Sequence, residues 1–264
     1  MSENSQTLSV TEAGGLGDSA RPIMARAMDR AAGYSYPPHS HARAQLVYAV
    51  SGVLTVATSQ GSWLVPPQQA VWVPADVTHE VRAPNPVAMR NLYLHPDAVR
   101  DLPGECRVIA VSALLRELIL RAVEISGDRP VGAADSRIGL MILDELRGAA
   151  AEPLHLPLPR DRRVKAVTDA LAANPGDRRS LAGWARAAGA SERTLARHFL
   201  RETGLTFAAW RQRLRLLGAI RRLANGESIT GIAYDLGYES PSAFIAMFSK
   251  TLGATPGRYL KPGP

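Results

Sequence analysis

Between about residues 24 and 94, short stretches such as QLVYAV, VLTVAT, SWLV, AVWV and MRNLYL alternate apolar and polar positions between clusters of Gly, Pro and Ser. A two-residue period with frequent turn signals predicts antiparallel strands folded into a sandwich or barrel. The period then lengthens. In SALLRELILRAVEIS and DSRIGLMILDELRGAA the apolar residues Leu114, Leu115, Leu118, Ile119 and Ala122, then Ile138, Met141, Ile142 and Leu146, fall three and four apart. That spacing predicts two helices that each bury one face, with Ser112 and Asp135 as N-caps. Such a pair either covers the sheet or joins two copies of the chain, and the pattern fits both. Next comes EPLHLPLPR, whose three prolines hold the backbone extended, and after it every apolar pattern is helical.

These changes of period predict an α+β chain of two domains. A tail (1–20) precedes a β-sandwich or barrel (21–110), a helical pair (111–151), a linker (152–160) and an all-α domain (161–264). The tail is polar, with no positively charged start and apolar block of the secretory type, and no apolar run reaches a membrane span of roughly 18 residues. One cysteine, Cys106, excludes an intrachain disulfide framework and fits a reducing interior, so the cytoplasm is expected and no membrane partner is.

The all-α domain repeats itself. Trp184-Ala185 and Gly189 recur as Ile232-Ala233 and Gly237; Phe199, Gly204, Thr206 and Trp210 recur one residue later in register, as Phe248, Gly253, Thr255 and Tyr259. In each copy a helix ends at Gly, a tight turn follows, and a Ser caps the next helix, which is a helix-turn-helix arrangement. In the first copy, SERTLARHFLRE, Leu195 and Phe199 turn inward and leave Ser191, Arg193, Thr194, Arg197 and His198 outside. In the second, SPSAFIAMFSKT, Phe244 and Phe248 turn inward and leave Ser240, Ser242, Ala243, Ala246 and Lys250 outside, a nearly apolar face.

One such copy could be a plain helix pair with solvated charges. Charge decides between the readings. The formal charge of +7 divides into 18 Lys/Arg against 8 Asp/Glu from Arg160 onward, and 13 against 16 before it. Basicity confined to the domain with the repeat indicates a polyanionic partner there, double-stranded DNA, with Ser191, Arg193, Thr194, Arg197, His198, Ser240, Ser242 and Lys250 as its candidate contacts.

Ile232-Ala233, Gly237-Tyr238, Ser240, Ser242, Phe244, Phe248, Lys250, Gly253, Thr255-Pro256 and Tyr259 follow the pattern IAxxxGFxSxSxFxxxFKxxxGxTPxxYR. In this the last hundred residues resemble the DNA-binding domain of the AraC/XylS family of transcription regulators. The resemblance implies two recognition helices set in successive major grooves roughly 34 Å apart. It departs at Ala246, where the family often has Arg, so the first unit is expected to dominate specificity.

His39 and His41 lie one residue apart, on one face of a strand, and Gln45 shares their parity. With a third imidazole from a distant strand, the set suits a divalent transition metal: Zn, Ni, Cu or Fe. A polar effector pocket without metal, or two incidental surface histidines, are the other readings. The spacing also resembles the cupin motif G(X)5HXH(X)3,4E(X)6G, filled by Gly33, His39, His41, Gln45 and Gly52, with Gln for Glu. Its second motif resembles Pro74, Asp76 and His79, with Asp76 and, upstream, Gln68 where Gly is expected. The resemblance therefore implies a cupin sensor domain, a small β-barrel of the jelly-roll kind, with His39, His41, Gln45 and His79 as metal ligands. Arg43, Trp63 and Trp72 are further candidates for an effector pocket, although the two tryptophans fit the barrel core better.

The expected function is a DNA-binding transcription regulator whose cupin senses a metal, a small molecule or both. Its expected partners are promoter DNA, the effector, RNA polymerase and a second copy of the chain through residues 112–150. GSWLVPPQQAVWVPADVTHEV and SPSAFIAMF resemble a subgroup that governs nearby efflux transporter genes. The competing reading is a metal-dependent cupin enzyme, a dioxygenase or isomerase, tethered to a DNA-binding tail. Gln45 argues against it, because an amide cannot serve as a carboxylate base.

Overall fold

The structure is a computed structural model and describes residues 21–126 and 131–260; the expected tail at 1–20 lies outside them. The described chain forms two compact units, residues 21–59 with 63–152, and residues 60–62 with 153–260.

The first unit contains β1 (Ile23–Arg30), β2 (Tyr34–His39), β3 (Ala44–Ser51), β4 (Leu54–Thr58), residues 63–65 of β5 (Gly61–Val65), β6 (Gln69–Val73), β7 (His79–Ala83), β8 (Val87–Leu94), β9 (Arg107–Ala110) and β10 (Ala151–Glu152). Two helices, α1 (Ala113–Ile125) and α2 (Ala133–Gly148), lie between the last two strands. One sheet has six strands in the order β1-β8-β3-β6-β9-β10; the other contains β5-β4-β7-β2. The chain alternates between sheets, β2 to β3, β6 to β7 and β7 to β8, so the expected barrel is an open jelly-roll sandwich rather than a closed cylinder.

The helical pair covers the outer face of the six-stranded sheet. Leu115, Leu118, Ile119, Ala122, Ile142, Leu143 and Leu146 share one core with Leu46, Tyr48, Leu92 and Leu94. This explains why β3 reads almost without polar breaks: Leu46 and Tyr48 lie beneath the helices while Gln45, also buried, faces between the sheets. Two expectations are corrected. Leu114 and Met141 are 47% and 44% exposed, because the buried stripe is rotated toward Leu115 and Leu143. Asp135 is not the N-cap of α2; Gly132 is, and Asp135 one turn in accepts a hydrogen bond from its amide at 3.0 Å.

The second unit holds a short strand, β11 (His155–Pro157), followed by α3 (Arg162–Ala173), α4 (Leu181–Ala187), α5 (Glu192–Thr203), α6 (Phe207–Ala224), α7 (Ile229–Asp235), α8 (Pro241–Leu252) and α9 (Pro256–Tyr259). The expected linker is packed against this unit. Leu154 and Leu156 are buried, Trp210 Nε1 donates to Pro157 O (3.0 Å), and Arg213 donates to His155 O (3.2 Å).

Candidate functional site

Two sites emerge, one in each unit. In the first, prolines set the geometry. Pro37 and Pro38 interrupt β2, since proline has no N–H for the ladder, and the register against β7 slips between Tyr36↔Val81 and His39↔His79. The extra residue puts Tyr36 and His39 on the same interior face although they are three apart. His79 is buried opposite His39, their ring centroids 4.2 Å apart, and His41 lies 5.3 Å from His79 and 5.8 Å from His39.

The glycines of the first motif are needed for their backbone: Gly33 and Gly52 adopt φ of +80° and +82°, and a Cβ on Gly52 would meet Pro86 O at 2.3 Å. In the second motif the backbone survives the loss of glycine. Gln68 (φ +69°) and Asp76 (φ +62°) are the two non-glycine residues of positive φ among the described residues, and they stand where that motif has Gly. Asp76 N donates to His41 O at 2.9 Å, so this turn also holds the His41 segment in place.

Each histidine turns Nδ1 toward a backbone carbonyl: His39 to Pro37 O (3.0 Å), His41 to Arg43 O (2.6 Å) and His79 to Val77 O (2.9 Å). A carbonyl only accepts, so in the neutral rings the proton sits on Nδ1 and Nε2 carries a lone pair. Burial lowers the pKa of His39, and with the neighbouring imidazoles lowers that of His79 to about 4, which keeps both rings neutral near pH 7. The Nε2 atoms of His41 and His79 then meet Gln45 Oε1 at 3.1 and 3.0 Å. One ligand atom from each of the three histidines lies within 4.8 Å of the others. Lone pairs converge where no proton is available to separate them, which is the donor chemistry a transition metal requires.

Beside the cluster is a cavity of about 30 Å³ with Tyr34, Tyr36, Asn91 and Tyr93 among its walls, room for an ion or a water or two. Those walls were missed from the sequence; the signal was the parity of Met89, Asn91 and Tyr93 in MRNLYL. Burial pushes the Tyr93 hydroxyl up to about 12. The three expected pocket residues do not line this cavity. Arg43 is buried but donates to Arg21 O (2.9 Å), Trp63 is core, and Trp72 faces the helical pair, its Nε1 donating to Pro103 O (2.8 Å).

In the second unit the repeat is built by local capping. Ser180, Ser191, Ser228 and Ser240 each accept a hydrogen bond from the backbone three residues on, and Gly204 and Gly253 close the recognition helices α5 and α8 in the left-handed conformation. The α4–α5 and α7–α8 turns repeat a bond from Ala190 N to Ala185 O in one from Tyr238 N to Ala233 O, both 2.9 Å, which places the inserted residue at Glu239.

Arg193 and Arg197 are exposed and form no ion pair among the described residues, so their guanidiniums are free for a ligand. Thr194 is half-buried beside Ser191, and both serine hydroxyls, Ser191 and Ser240, serve first as caps. Ser242 and Lys250 are exposed. His198 departs from expectation: Nδ1 lies 2.9 Å from Asp161 Oδ2 and the side chain is 17% exposed, so it secures the start of α3 instead of facing outward. Much of the charge on α6 is likewise spent internally, Arg211 and Arg215 donating to Arg179 O and Pro175 O.

Comparison with known proteins agrees with both units. The AraC-like ligand binding domain family matches residues 21–141, and a helix-turn-helix domain family matches residues 184–262. The chain is 37% identical over 224 residues to the HTH-type transcriptional regulator NimR of Escherichia coli, covering 85% of this chain and 82% of that protein. Against the HTH-type transcriptional regulator RipA of Corynebacterium glutamicum it is 39% identical over 103 residues, 39% of this chain and 31% of the other. Among solved structures, ToxT from Vibrio cholerae aligns over 91% of this chain and 98% of its own at 12% identity, with a TM-score of 0.38. No helix among the described residues is long and apolar enough to cross a membrane. The chain belongs to the AraC/XylS family of DNA-binding transcription regulators, with an AraC-like ligand-binding domain ahead of two helix-turn-helix units.

Proposed function

We propose that the ligand-binding domain is a metal-responsive sensor in which His39, His41, His79 and Gln45 hold one divalent transition metal, and that its occupancy changes how the helical domain engages promoter DNA. The observation that carries this reading is the convergence of the His41 and His79 Nε2 atoms on the Gln45 side-chain oxygen, with His39 beside them. A bound ion would supply Lewis acidity there and would neutralise the opposed lone pairs. An effector acts only through its difference in affinity for two states of the regulator. Metal binding must therefore move the operator affinity, and operator binding must move the metal affinity by the same factor.

The site favours sensing over catalysis. Gln45 cannot take a proton, and the described residues lining the adjoining cavity include no Asp or Glu. A dioxygenase or isomerase reading would need such a base. Exposed Leu114, Leu140 and Met141 on α1 and α2 support a homodimer through this helical pair. Control of a nearby transporter gene, contact with RNA polymerase and a cytoplasmic location go with the same reading.

One observation favours a second arrangement. If the Gln45 amide is turned over, its NH2 group donates to both imidazoles and satisfies the cluster without metal, leaving a polar pocket for a small organic effector. Elemental analysis of the purified protein, with binding to its own upstream promoter DNA measured with and without chelator, separates the two. Stoichiometric metal whose removal shifts DNA affinity supports the sensor. Metal-free protein with unchanged affinity selects the pocket, and turnover of a small substrate with bound Fe or Mn would select the enzyme.

A further inference from the structure

The two recognition helices correspond residue by residue. Ser191 and Ser240 cap them, Phe199 and Phe248 are fully buried at the same step, and Gly204 and Gly253 close them. Position by position, Arg193 matches Ser242, Thr194 matches Ala243, Arg197 matches Ala246 and Arg201 matches Lys250.

The exposed cation near the C-terminal end is kept in both helices, Arg201 in one and Lys250 in the other. A cation at that end suits a phosphate, which positions the helix but reads no sequence. The N-terminal outward face is changed. Two guanidiniums and a hydroxyl in α5 become one hydroxyl and two methyl groups in α8, with Ala243 and Ala246 both exposed. In the major groove an arginine fork complements O6 and N7 of guanine. An alanine methyl can make no hydrogen bond, and the base-edge group that complements it is the C5-methyl of thymine.

We infer that the second helix-turn-helix unit reads thymine C5-methyl groups through Ala243 and Ala246, whereas the first reads guanine through Arg193 and Arg197. The operator is then chemically asymmetric, a guanine-bearing half-site and a thymine-bearing half-site about one helical turn apart. This inference stands on the helical domain and is independent of the metal site.

The test uses the full-length protein. Duplexes are selected from a random pool, and in the selected duplex each thymine is replaced by uracil, which lacks only the methyl, and each guanine by 7-deazaguanine. Affinity is measured by mobility shift at about 0.15 M salt, where nonspecific binding is weakened. Uracil should weaken binding about fourfold per contacted methyl, from the burial of one carbon, and only in one half-site. 7-Deazaguanine should act only in the other.

Ala246→Arg, at an exposed position that keeps the fold, should select guanine in the former thymine half-site and abolish the effect of uracil at that position. The inference is overturned by uracil effects below about twofold throughout. It is equally overturned if selection enriches one half-site or none, or if the A246R protein selects the same duplex as the parent.

Discussion

His79 Nε2 stands 3.0 Å from Gln45 Oε1, two atoms with lone pairs and no hydrogen between them in the neutral ring whose proton faces Val77 O. The arrangement is stable with a cation among the donors or with the amide turned over, and one substitution distinguishes these. Gln45→Glu restores the carboxylate of the cupin motif. With a metal, affinity for Zn²⁺ in a calorimetric titration should rise on the order of tenfold, and the metal-free protein should melt at a lower temperature. A weaker Zn²⁺ affinity in Q45E would assign the amide nitrogen, not the oxygen, to the imidazoles. His79→Ala should abolish stoichiometric metal.

Arg193 and Arg197 are the free guanidiniums of α5, whereas Ser242 at the equivalent place in α8 has a single hydroxyl. Arg193→Ala or Arg197→Ala should each weaken operator binding by about 1–3 kcal/mol, the discrimination of one bidentate base contact. Ser242→Ala should change it far less. Mobility-shift titrations on one duplex make the comparison, and equal losses in the three variants would contradict dominance by the first unit.

Gln68 and Asp76 hold positive φ without being glycine. The left-handed region costs an L-residue about 1–2 kcal/mol, and glycine returns roughly half of that gain through its looser unfolded chain. Gln68→Gly should therefore stabilise the sandwich by about 0.5–1 kcal/mol, a rise of about 1–4 °C in its melting midpoint. Asp76→Gly should gain less, because Asp tolerates this region better. A fall in the midpoint for Gln68→Gly, by calorimetry, would show that its side chain supports the turn.

Cys106 is half-buried, and burial, aided by Glu105, raises its thiol to about 11. A raised thiol pKa means the protonated, unreactive form dominates at pH 7–8, with thiolate growing only as pH climbs toward 11. Alkylation by iodoacetamide at pH 8 should be much slower than for a free cysteine and should accelerate between pH 8 and 10. Rapid labelling at pH 7 would exclude a shielded thiol.

The helix-turn-helix repeat was legible in the sequence because each part of it is local. A Ser cap, a glycine turn and a Phe one face away all act within a few residues, and Ser191, Gly189 and Phe199 could be placed without knowing what they pack against. The expected common strand face of His39, His41 and Gln45 is corrected: His39 ends β2, His41 lies in the turn before β3, and the three meet where the chain crosses between sheets. Where the buried stripe of α2 lay was less clear, since Met141 and Leu143 fit a helical face equally well and only the sheet beneath decides between them.

By itself, then, the sequence determined two domains, the class of each, the double helix-turn-helix and the residue types able to bind metal. Tertiary structure decided what sequence spacing could not. A bulge at Pro37-Pro38 brings His39 opposite His79, Trp72 faces the helical pair instead of the histidine cavity, and Asp161 captures His198 across 37 positions of sequence. Each of these depends on which strand or helix lies alongside. That is a matter of nonlocal pairing and burial, and the periodicity of one segment contains no record of its neighbour.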